Sequence, residues 1–106
     1  MADSLDDLAR QLKAFAAARD WLRHHAPKNL ASALIVEAAE LLEHFQWMNE
    51  EQSRALAPAQ RDEVAAEMAD VLIYLIQLAN VLDIDLVEAA RGKMRINEQR
   101  FPVPRP

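Results

Sequence analysis

Residues 30–48, LASALIVEAAELLEHFQWM, and residues 58–82, PAQRDEVAAEMADVLIYLIQLANVL, decide the fold. In the first stretch Leu34, Ala38, Leu41, Phe45 and Met48 recur at steps of three and four, the spacing of one helix face. Glu37, Glu40, His44 and Trp47 run beside them. In the second stretch Val64, Met68, Val71, Leu75, Leu78 and Leu82 form the apolar row, flanked by Glu63, Glu67, Asp70, Tyr74 and Gln77. Each segment is therefore a long helix whose carboxylates border the core face instead of lying opposite it.

Outward from this pair the chain reads as further helices. Leu5, Leu8, Leu12, Phe15 and Ala16 predict a first helix over about Ser4 to His25, capped by Ser4 with Asp7 and closed by Pro27. Asn29 is the expected cap of the second helix, about Leu30 to Met48. Asn49 and Gln52 fit a capping box for a short helix ending near Leu56, Pro58 opens the long helix, and Asp85 with Glu88 opens a last one. That helix reaches towards Arg100 and gives way over 98–106 to an extended, proline-rich tail. The expectation is one all-α domain over 1–106, of four-helix-bundle type.

Composition supports that class and narrows the partners. Hydrophobic residues make up 52% of 106 residues and there is a single Gly, which suits continuous helices. A net charge of -5, with no basic run longer than two residues, argues against duplex nucleic acid, whose binding needs a cationic footprint. A phosphate ligand stays open, because a bound divalent cation inverts the local charge. The chain has no cysteine, so disulfides and thiolate metal sites are excluded. The acidic start MADSLDDLAR has no signal-like apolar region, and no uninterrupted apolar run approaches the roughly 20 residues of a membrane span. A cytoplasmic protein is expected.

Residues three apart on a helix project from neighbouring positions about 4.5 Å apart along the axis. Glu37-Ala-Ala-Glu40 and Glu67-Met-Ala-Asp70 are thus two carboxylate clamps, which face one another if the helices pack antiparallel. Four carboxylates that close raise one another's pKa unless a cation sits among them, and hard oxygen donors select Mg²⁺, Mn²⁺ or Ca²⁺. On the residues alone, solvated helix surface is an equal reading. A di-iron bundle would need Glu-x-x-His on two helices, and no Glu here precedes a His by three.

The spacing Glu37-x-x-Glu40, then 26 residues, then Glu67-x-x-Asp70 resembles the signature of the MazG-like, all-α nucleoside triphosphate pyrophosphohydrolases. ARDWLRHHAPKNLASALIVEAAELLEHFQW, EVAAEMADVLIYLIQLA and KMRINEQRFPVP are similar in order and spacing to the dCTP pyrophosphatase branch, over about Gln11 to Pro104. The resemblance implies cleavage between the α and β phosphates of dCTP, or of a 5-modified dCTP, with Mg²⁺ (or Mn²⁺ in its place) held by Glu37, Glu40, Glu67 and Asp70. It also implies a base pocket of Trp21, His25, Asn29, Trp47 and Tyr74. Phosphate contacts from Lys93, Asn97 and Arg100 and a homo-oligomer, a tetramer built as a dimer of dimers, follow from it too. Phe101 departs from the family's usual Tyr before Pro, and His44 has no counterpart in the pattern, so it reads as a border-of-core residue. Glu43 and Glu63 read as solvated, Glu63 with the option of supporting the clamp. Open alternatives are dUTP, another NTP or a phosphoribosyl nucleotide under the same chemistry, and a non-catalytic helical interaction module.

Overall fold

The computed structural model describes residues 4–104. Its elements are α1 (Leu5–Ala18), α2 (Pro27–Glu43), α3 (Glu50–Arg54), α4 (Pro58–Leu82) and α5 (Leu86–Arg100), with a 3-10 turn at Leu22–His24 between α1 and α2. The described residues contain no strand. Helices α2 and α4 pack along one another and α1 packs on α4. The α2–α4 pair is antiparallel, since His44 at the end of α2 meets Glu63 and Glu67 early in α4.

Local chemistry starts these helices where the sequence places them in four cases. Ser4 Oγ accepts from the Asp7 N–H at 3.0 Å and caps α1. Asn49 accepts from the Gln52 N–H at 2.8 Å while the Gln52 side chain accepts from the Asn49 N–H at 2.9 Å, a reciprocal capping box. Pro58 occupies the first turn of α4, and the Gln60 side chain accepts from the Ala57 N–H at 3.0 Å. Asp85 accepts from the Glu88 N–H at 3.1 Å and opens α5.

Four boundaries differ from expectation. The first helix ends at Ala18, not His25, because Asp20 enters the left-handed region (φ 57°). There the Asp20 N–H donates to Ala17 O and the Trp21 N–H to Ala16 O, the pairing of a Schellman cap. Pro27 opens α2 instead of closing α1: its fixed φ suits the first helical position, and Ala26 before it is extended. Asn29 is accordingly inside α2 and not its cap, and its side chain donates to His24 O at 3.4 Å. Helix α2 stops at Glu43, five residues early, as i→i+3 bonds from His44 and Phe45 tighten the chain into turns. At the far end α5 continues through Arg100, so residues 98–100 are helical and not part of an extended tail.

The inward face of α4 also differs from the predicted apolar row. Val64 is buried, but Met68, Leu75 and Leu82 are exposed, whereas Ile76, Gln77 and Ala79 are buried. The helix has two inner faces. It meets α2 at Glu67 and Asp70 and faces α1 from Asp70 onward, where Ala16 is 1% exposed and Asn80 Nδ2 donates to Ala9 O at 3.1 Å. Met68, Leu72, Leu75 and Leu82, at helical spacing, are left as an exposed apolar ridge. Among the described residues α4 is also long and apolar enough, by length and composition, to cross a membrane, although it is interrupted by charged residues.

A second left-handed residue, Asp83 (φ 55°), closes α4 with the same pair of bonds, Asp83 N–H to Asn80 O and Ile84 N–H to Ala79 O. A left-handed L-residue costs about 1–2 kcal/mol, part of which glycine returns as unfolded-state entropy. Asp83→Gly is therefore expected to stabilise the protein by about 0.5–1 kcal/mol, read as a rise of a few degrees in Tm. A lower Tm would contradict the cap.

Candidate active site

Antiparallel packing turns the two carboxylate rows towards each other. Glu37, Glu67 and Asp70 each bring one carboxylate oxygen into a group whose members all lie within 4.8 Å of one another. Glu37 Oε2 and Glu67 Oε2 are sealed from solvent, and no donor reaches either. Buried carboxylate oxygens without a partner are costly, and a cation is the group that removes the cost. Glu40, one turn along α2, stands against Glu37. A hydrogen bond between the two side chains, then burial, then the charges of Glu40, Asp70 and Glu67 hold the Glu37 carboxyl above the ordinary glutamate value. An all-oxygen donor set of this charge fits a hard divalent cation.

His44 stands half-buried beside this site, at the border of the core as expected and outside the carboxylate group itself. Its Nε2 lies 3.8 Å from Glu67 Oε1 and its Nδ1 3.8 Å from Glu63 Oε2. The imidazole thus stands between a half-buried carboxylate of the cluster and an exposed one outside it.

Beside the cluster lies a cavity of about 310 Å³ lined by Phe15, Trp21, His25, Asp70, Tyr74 and Gln77, among others. Phe15 and Trp21 meet edge to face, ring centroids 5.5 Å apart, and the Arg19 guanidinium covers the Phe15 ring at 3.4 Å. The Schellman turn at Asp20 gives Trp21 this position, since a helix continuing to His25 would have carried it elsewhere. Asp70 lines the cavity and belongs to the cluster, so charge and aromatic surface share a wall.

Of the residues expected at the site, Trp21, His25 and Tyr74 come together with Asp70. Trp47 does not. It is 89% exposed and lines a separate cavity of about 450 Å³ with Glu43, His44, Gln52 and Gln60. Asn29 is exposed on the first turn of α2. Lys93, Asn97 and Arg100 lie on α5 and line neither cavity, and the Arg100 guanidinium sits 5.1 Å from the Phe101 ring centroid.

The antiparallel α2–α4 pair thus sets a carboxylate cluster, a candidate metal site, beside an aromatic cavity. The sequence profile of the MazG-like family matches residues 33–105, and the chain belongs to that family. It is 43% identical to dCTP pyrophosphatase 1 of Mus musculus over 102 residues and 42% identical to dCTP pyrophosphatase 1 of Homo sapiens over 101. Those alignments cover 94% and 93% of this chain but 60% and 59% of the relatives, so the chain spans about three-fifths of their length. A pyrophosphatase from Archaeoglobus fulgidus has the same architecture, with a TM-score of 0.87, 41% identity and 93% of each chain covered.

The raised Glu37 carboxyl gives a signed expectation for the metal-free protein. A folded-state pKa above the unfolded one means that protonation favours the fold, a contribution present at low pH and lost as pH rises through the raised value. In EDTA, wild type is expected to lose Tm relative to Glu37→Gln as pH rises, because the amide stays neutral. With saturating Mn²⁺ the order reverses, as the variant lacks a ligand oxygen. Identical melting of the two proteins under all four conditions would dissolve the cluster as a metal site.

Proposed function

We propose that the chain is a divalent-metal-dependent nucleoside triphosphate pyrophosphohydrolase that converts a dNTP to dNMP and pyrophosphate. dCTP or a 5-modified dCTP is the substrate, in cleaning of the nucleotide pool. The observation that carries this reading is the wall that Asp70 shares between the carboxylate cluster and the aromatic cavity. The identity to proteins named dCTP pyrophosphatase supports the choice of cytosine. Glu37, Glu40, Glu67 and Asp70 hold Mg²⁺, with Mn²⁺ as substitute. When bound, the cation polarises phosphate oxygens and acidifies water. A carboxylate of the cluster takes the proton of the attacking water as the α–β anhydride bond opens and pyrophosphate leaves. Trp21 stacks on the base, a contact of about 1–3 kcal/mol by comparison with other base–aromatic pairs.

The oligomeric part of the reading rests on what one chain leaves uncovered. Its accessible surface is 8501 Å², against about 6,000 Å² for a folded monomer of this mass. Its radius of gyration is 17.0 Å, against about 13 Å for a compact domain of this length. The surplus is apolar: the α4 ridge at Met68, Leu72, Leu75 and Leu82, and Ile35 and Leu42 one heptad apart on α2. A second copy covering these faces, in a tetramer built as a dimer of dimers, also offers Lys93, Asn97 and Arg100 a route to a neighbour's triphosphate and Trp47 a route to its base. Cationic groups at that point offset the charge that develops on the transferred phosphoryl group. Glu67 and Asp70 lie within the apolar stretch of α4, which supports a bundle helix of a cytoplasmic enzyme over a membrane span.

Incubation with Mg²⁺ and a dNTP panel is expected to release pyrophosphate, fastest from dCTP. Orthophosphate as the product would refute the reaction. Glu40→Ala and Asp70→Ala are each expected to lower kcat at least 100-fold, an order-of-magnitude figure for loss of a metal ligand, with the helical circular-dichroism signal retained. Ile35→Glu is expected to shift the light-scattering mass to a smaller species and to lower activity with it. A monomeric wild type with full activity would remove the shared-site reading.

A further inference from the structure

Gln77 is a buried polar residue of the core, 6% exposed, and the hydrolase reading above gives it no task. It stands on α4 with Asp70 and Tyr74 at i, i+4 and i+7, hence on one side of the helix. Among the described residues no hydrogen bond within the chain engages its side-chain amide, while the neighbouring amide of Asn80 is tied to Ala9 O. Nor are its amide atoms sealed away without partners, as Glu37 Oε2 and Glu67 Oε2 are. Gln77 lines both the 310 Å³ cavity and an adjoining one of about 260 Å³, which share Leu12 and His25 as well. Its amide is therefore an unused polar group opening into the cavity from an otherwise buried side chain.

The placement gives that amide a direction. Asp70 and Gln77 are two helical turns apart, about 10.5 Å along the axis. That span is comparable to the reach from a nucleotide's innermost phosphate to the outer edge of its base. Trp21 and Phe15 supply the ring surface between the two ends. A buried amide left unpaired is costly, whereas one that meets a ligand's donor and acceptor is both satisfied and selective.

We infer that Gln77 reads the edge of the base. Its carbonyl accepts from the exocyclic amino group of cytosine, and its NH₂ donates to the adjacent ring nitrogen. The ligand class is a nucleobase with a neighbouring donor and acceptor on its outer edge. The inference rests on the pyrophosphohydrolase reading and adds to it the residue that sets base choice.

The test compares dCTP with the deoxyribonucleoside triphosphate of 2-pyrimidinone, which lacks only the 4-amino group. Wild type is expected to prefer dCTP by roughly 10- to 100-fold in kcat/KM, mostly through KM. In Gln77→Met, close to isosteric, the ratio is expected to fall towards one, whereas a purely structural role for Gln77 would slow both substrates alike. Equal use of the two substrates by wild type overturns the inference without any variant, and so does a folded Gln77→Met protein that keeps the wild-type ratio. Failure of wild type to release pyrophosphate from any triphosphate removes the hydrolase reading and this inference with it. A wild type that turns over both substrates without discriminating between them removes this inference alone.

Discussion

Two carboxylate oxygens, one from Glu37 on α2 and one from Glu67 on α4, are sealed between helices where no donor meets them. Hydrophobic packing alone would put methylenes at such a seam, because unpaired charge there works against the association of the very helices that bury it. The rest of the structure accommodates this constraint. Glu40 stands against Glu37 and holds its carboxyl above the ordinary glutamate value, His44 stands off the second oxygen of Glu67, and Asp70 opens towards a cavity instead of closing into the core. Each arrangement leaves the negative potential concentrated at one place on the α2–α4 seam. Glu37, Glu67 and Asp70 would hold a divalent cation there, which would convert the least favourable part of the packing into the most specific part of the molecule.

The same economy explains why one chain buries so few side chains. With the seam given over to charge, the α2–α4 pair keeps only part of its apolar surface for itself, and α4 divides its inner face between α2 and α1. Met68, Leu72, Leu75 and Leu82 then have nothing in the chain to pack against. The residues that resemblance assigns to the triphosphate and to the second face of the base, on α5 and at Trp47, are likewise away from the cavity of their own chain. Uncovered apolar ridges and a half-furnished cavity are the two independent features on which the proposed oligomer rests.

Much of this was legible in the sequence. The reciprocal pair Asn49 and Gln52, Pro58 in a first turn and Asp85 ahead of Glu88 fix helix starts by local hydrogen bonding, which needs no tertiary information. The misread boundaries depended on backbone conformation that side-chain identity leaves open. Asp20 and Asp83 take the left-handed position in which glycine is the usual sign, and the single glycine, Gly92, lies within α5 instead. Pro27 is consistent with either ending a helix or beginning one, and the left-handed turn at Asp20 decides between them. The clamps were visible as spacing, but whether they faced water or each other depended on how α4 rolls. Equal spacing on Met68 and on Glu67 could not reveal which of them turns inward.

That roll is also what separates the two ends of the cavity. Because α4 shows α2 its carboxylates and, further along, shows α1 its buried amide, one helix side runs from hard anionic oxygens at Asp70 through a phenol at Tyr74 to a neutral amide at Gln77. The order matches the chemistry of a nucleotide from phosphate to base, and no rearrangement of loops is needed to produce it. A neutral amide suits the base end, because it offers a donor and an acceptor together without the desolvation of an ion. An amide cannot replace the cluster, because it lacks the charge to hold a divalent cation. The separation by two helical turns keeps these two demands apart, so the strength of cation binding and the choice of base can change independently along a single helix.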